Sequence, residues 1–189
     1  MPSVAPLLLV CGPDDSSIIY GFYWVTRWGA SAGVSLRWCV SDDPNELRKA
    51  LLAPVRWIIW DTHGGWDGPT FGGHRLDELL GGGTRRITAK VFMLGCCWGG
   101  TPKFTNEIRR YLAQPTAFLG CQEQPGSSHG RKLFPPVLEA LSPLVGTRAA
   151  PKALVAVMNT ALAAAVAKTP ALGDACWQAK VLRPLPRAS

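Results

Sequence analysis

Short continuous apolar runs alternate with mixed, helix-like stretches along most of the chain. Leu7–Cys11 is apolar at every position and stops at Gly12-Pro13, the pattern of a strand buried on both faces. Ser16 or Ser17 then caps a helix running to about Trp28. Val34–Val40 reads as a second strand. Asp43-Pro44 opens a short helix over Asn45–Leu52, with proline in the first turn. Arg56–Asp61 is a third strand, ending in Thr62-His63-Gly64-Gly65. Residues 66–86 read as loop, with a short hairpin at Pro69–Arg75, a helical turn at Leu76–Leu80 and a flexible Gly81-Gly82-Gly83 run.

The alternation resumes with a strand at Lys90–Leu94 that ends in Gly95-Cys96-Cys97-Trp98-Gly99-Gly100. A helix over Thr105–Leu112, a strand at Thr116–Leu119 and a helix over Arg131–Leu141, interrupted near Pro135-Pro136, follow. Pro151 starts a long apolar helix to about Lys168, and Trp177–Leu182 forms a last strand. Strands alternating with helices predict an α/β fold, a mostly parallel sheet with helices on both faces. In such sheets chemistry gathers beyond the carboxyl ends of the strands. That directs attention to Cys11–Asp15, Asp61–Gly65, Gly95–Gly100 and Gly120–Glu123.

Composition narrows this picture. With 189 residues, 47% of them hydrophobic and 17% charged, the chain excludes disorder and matches a single domain over residues 1–189. Eight tryptophans point to aromatic packing or a binding surface. The net charge of +7 divides unevenly, +2 over residues 1–140 and +5 over residues 141–189. No segment interleaves clustered Arg/Lys with aromatics, so nucleic acid is not expected as a partner. The six cysteines lack CxxC spacing and no secretory signal precedes them. Free thiols in a reducing, cytoplasmic compartment are expected, with no metal and no cofactor. The 152–168 helix carries Asn159 and Thr160 and falls short of a membrane span. It reads as a core helix, with an oligomer contact as the sharper alternative.

Two neighbouring strand ends carry a histidine and a cysteine, His63 and Cys97. A thiol needs a base to act as a nucleophile at neutral pH, and an imidazole titrates in the right range to supply one and later protonate a leaving group. Gly64-Gly65 leave backbone N–H groups unshielded. The N–H groups of Gly64 and Cys97 are candidates for an oxyanion hole. Because adjacent strand residues face opposite ways, only one of Cys96 and Cys97 is expected to face His63. Taken singly, His63 is an ordinary turn histidine and Cys97 a packing thiol; together at consecutive strand ends they read as a dyad. Asp61 is either an orienting partner of His63 or a solvated cap. Trp66 and Trp98 either line a groove or cover the sheet end. His74 and His129 read as surface loop residues.

The blocks Trp57-Ile58-Ile59-Trp60-Asp61-Thr62-His63-Gly64 and Val91-Phe92-Met93-Leu94-Gly95-Cys96-Cys97-Trp98-Gly99-Gly100 resemble the His and Cys blocks of caspase-like (clan CD) cysteine peptidases, the CHAT branch in particular. Ala117–Gln122, His129–Phe134 and Trp177–Leu182 resemble later blocks of the family. The resemblance implies a three-layer caspase-like sandwich with a six-stranded sheet in order 2-1-3-4-5-6, the last strand antiparallel. It also implies a cysteine endopeptidase acting on protein or peptide substrates, with Cys97 as nucleophile, Cys96 as a small buried neighbour, and a regulatory partner protein. Family pockets draw on the end of the first strand and the position two before the nucleophile, here Asp14, Asp15 and Gly95. Carboxylates at Asp14 and Asp15 would receive a basic substrate side chain, although without the family they read as helix caps. Gly95 departs from the acidic or amide residue of related enzymes. A catalytically silent scaffold of the same fold is the alternative. A flavodoxin-like nucleotide binder is disfavoured because no glycine-rich fingerprint follows the first strand.

Overall fold

Strict alternation of side chains along uniformly apolar strands divides one sheet between two cores. The computed structural model describes residues 7–11, 16–61, 64–65, 68–70, 73–125 and 129–186. Its central sheet contains β1 (Leu7–Cys11), β2 (Leu36–Val40), β3 (Trp57–Asp61), β4 (Val91–Gly95), β5 (Thr116–Cys121) and β6 (Trp177–Leu182), in the order β2-β1-β3-β4-β5-β6. Every pairing is parallel except β5 with β6. The helices are α1 (Ser16–Ser31), α2 (Pro44–Leu51), α3 (Leu76–Leu80), α4 (Pro102–Tyr111), α5 (His129–Leu141) and α6 (Pro151–Lys168).

Trp57, Ile59, Val91, Met93, Ala117 and Leu119 point into one core, closed by α1, α5 and α6. Ile58, Trp60, Phe92, Leu94 and Phe118 point into the other, closed by α2, α3 and α4. The protein is therefore an α/β sandwich of three layers, and β3, β4 and β5 read as unbroken apolar runs because both faces are buried. Trp28, Trp57 and Trp60 are buried in these cores, so part of the tryptophan content is packing.

Local signals set the helix starts. The Asp43 carboxylate accepts the Asn45 and Glu46 N–H groups at 2.7 and 3.0 Å, and Pro44 occupies the first turn of α2. Glu78 accepts the Arg75 N–H at 2.9 Å at the start of α3. The expected interruption of α5 does not occur: Pro135 and Pro136 lie inside a continuous helix. Leu133, Phe134, Val137, Leu138 and Leu141 are all buried, and burial of that stripe outweighs the lost N–H donors. The pairing in the glycine-rich loop is Gly64–Gly65 against Gly68–Pro69, upstream of the hairpin expected at Pro69–Arg75. α1 continues past Trp28 to Ser31 and yields to Gly33 in the left-handed region. α6 buries only Leu154, Met158, Ala161, Leu162 and Ala165, one stripe of its surface. Among the described residues no helix is long and apolar enough to cross a membrane.

Candidate functional site

The register Cys11↔Asp61↔Gly95 brings the carboxyl ends of β1, β3 and β4 to one rim. From that rim Cys96–Gly100 turns sharply before Pro102 starts α4. The turn is clamped onto the end of β5: Gly100 N–H donates to Cys121 O at 2.6 Å and Trp98 N–H to Glu123 O at 3.2 Å. Trp98 adopts φ +55°, a left-handed conformation that costs a non-glycine residue about 1 kcal/mol. Gly99 and Gly100 are required here. A Cβ on Gly99 would meet Cys96 Sγ at 2.6 Å and Leu94 Cδ2 at 2.7 Å. One on Gly100 would lie 2.9 Å from backbone atoms of Gly120 and Cys121.

The two adjacent cysteines part company in this turn. β4 stops at Gly95, so strand alternation does not separate them, contrary to the sequence expectation. The turn does so instead. Cys96 is 3% exposed and packs in the α2–α4 core, whereas Cys97 is partly exposed at the rim. Burial pushes the Cys97 thiol above its ordinary range, and its own backbone N–H works in the opposite direction. That N–H has no carbonyl acceptor among the described residues. An uncharged thiol beside its own backbone N–H can act as a nucleophile once a base removes its proton.

Two residues to which the sequence assigned no role in the site brace this turn. Cys121 Sγ donates to Cys96 O at 2.8 Å, and burial first, then Cys97, pushes its pKa up to about 12. Lys180 Nζ donates to Gly100 O at 2.9 Å, and burial lowers its pKa. Lys180 stands opposite Phe118 only because β6 pairs antiparallel with β5, which no spacing in the sequence reveals.

Gly95 is the last residue of β4, directly before the turn. Gly64 lies in the short ribbon that follows β3. His63, Asp14, Asp15 and Trp66 lie outside the described residues. His74 is a partly exposed loop residue whose ring meets Asp42 O at 3.0 Å. His129 is not a surface loop residue: it begins α5, half-buried, and its Nδ1 is a buried atom with no partner among the described residues. Burial, then Lys132, lowers its pKa, while Asp174 opposes them. Trp177 Nε1, across from Cys121, is likewise buried and unpartnered among the described residues. No group of three or more described His, Cys, Asp or Glu side chains is placed to hold a metal. Compared with known protein families and with curated proteins, the chain matches none.

Proposed function

We propose that the chain is a caspase-like cysteine endopeptidase of the CHAT type. The observation that carries this reading is Cys97, a partly exposed thiol whose backbone N–H has no carbonyl acceptor among the described residues, on a glycine-locked turn beyond an inner parallel strand. The sheet order, with its final antiparallel strand, supports it. In the proposed reaction His63 takes the Cys97 proton and Sγ attacks the scissile carbonyl. The N–H groups of Cys97 and Gly64 hold the oxyanion. His63 then protonates the departing amine, leaving a thioester on Cys97. Water, deprotonated by His63, hydrolyses the thioester and restores the thiol. Asp14 and Asp15, beyond β1, with Gly95 before the turn, would receive a basic residue ahead of the scissile bond.

The experiment is labelling with a fluorescent peptide-based thiol probe carrying arginine at its recognition position. Cys97→Ala and His63→Ala are expected to abolish labelling while Cys96→Ala keeps it. Labelling that survives Cys97→Ala overturns the nucleophile. A folded wild-type protein that takes no label favours the silent scaffold.

A further inference from the structure

Among the described residues β2 is an edge of the sheet, paired with β1 on one side only. Beside it, between the strand and α2, lies an open groove of about 840 Å³. Arg37, Arg48, Lys49 and Arg85 line it, and each is exposed. None of the four has an ion-pair or hydrogen-bond partner among the described residues. Glu46 is the one acidic residue lining the groove. The strand's two faces differ. Arg37 and Cys39 point toward α2, whereas Trp38 packs against the opposite core and Val40, at 49% exposure, presents apolar surface beside it.

We infer that this edge is a docking site for an extended acidic peptide segment of a partner protein, added to the sheet as a strand alongside β2. The free edge supplies backbone hydrogen bonds. The period of two then sets a pattern: acidic side chains on the α2 face, over the four cations, alternating with apolar ones on the Val40 face. A second copy of the chain is a poor occupant, because pairing two β2 edges would bring two sets of unpaired cations together. The site lies away from Cys97 and does not rest on the peptidase reading.

The test uses the Cys97→Ala protein and fluorescence anisotropy with a labelled Glu-Val-Glu-Thr-Glu-Val peptide at low salt. Binding is expected, and Arg48→Glu/Lys49→Glu is expected to weaken it by about tenfold or more. Methylating alternate peptide amides on the sheet-facing edge is expected to do the same, because it removes the strand pairing without changing charge. Lys152→Glu, on the opposite face of the sheet, should leave binding unchanged. Three results overturn the proposal. One is binding that ignores the Arg48/Lys49 reversal or falls equally with Lys152→Glu. Another is indifference to amide methylation, which reduces the groove to a diffuse basic surface. The third is tighter binding of an oligothymidylate of equal charge, which makes nucleic acid the occupant.

Discussion

The Cys97 turn and the β2 groove both lie at margins of the same sheet, yet opposite physics holds them. The turn is fixed by backbone: carbonyls of Cys121 and Glu123 clamp it, and glycines stand where no Cβ fits. Its composition has almost no freedom. The groove is made of exposed cations on an edge with no second strand paired to it among the described residues, and its side chains can change without strain. Each region holds a half-buried cysteine, Cys97 in one and Cys39 in the other. Burial raises both pKa values, and for Cys39 the nearby Glu46 carboxylate raises it further. A site that must aim one atom needs a rigid backbone. A site that recognises charge needs only density of like sign.

Three experiments bear on that contrast. The largest effect is expected from Gly100→Ala, which forces a methyl against backbone atoms 2.9 Å away. A loss of about 3 kcal/mol in urea denaturation is expected, and wild-type stability would mean that the turn is not clamped on β5. Next come the two thiols, compared by site-resolved alkylation with iodoacetamide. A raised pKa leaves both protonated at pH 7, and the reactive thiolate accumulates only as pH climbs above the ordinary thiol range. With His63 as base, Cys97 should react at least about tenfold faster than Cys39 at pH 7. In His63→Ala the two rates should converge and keep climbing with pH through the ordinary thiol range without levelling off there. Equal rates in the unaltered protein would remove His63 from the site. The smallest effect is expected from Arg48→Glu/Lys49→Glu. Its melting curve should place stability within about 1 kcal/mol of the parent, since both side chains are exposed, unpaired among the described residues, and lose only their favourable place in the last turn of α2. A larger loss would make the groove part of the fold's own framework.

Most of the element order was legible in the sequence, because strands buried on both faces leave unbroken apolar runs such as Trp57–Trp60 and Val91–Leu94. Boundaries shifted where a local rule met packing. The proline pair in α5 reads as a break, but the buried stripe from Leu133 to Leu141 holds the helix through it. The cysteine pair shows the same limit differently. Cys96 and Cys97 are indistinguishable by type and adjacent in chain, and the end of β4 at Gly95 removes the strand rule that was to separate them. The basic groove escaped notice because Arg37, Arg48, Lys49 and Arg85 are scattered over residues 37–85, while the visible charge excess sits near the carboxyl terminus.

The sequence by itself determined what depends on neighbours along the chain: the alternation of strand and helix, the cap of α2 at Asp43, the glycines beyond β4, and the α/β class. Only the tertiary structure decided what depends on residues meeting across the sheet. It buried Cys96 and left Cys97 at the rim. It set Cys121 against the turn from the end of β5 and Lys180 from β6, and it gathered four separate cations along one open edge. Local propensity acts over a few residues, whereas burial and strand pairing join segments that are tens of residues apart, and both candidate sites are assembled at that longer range.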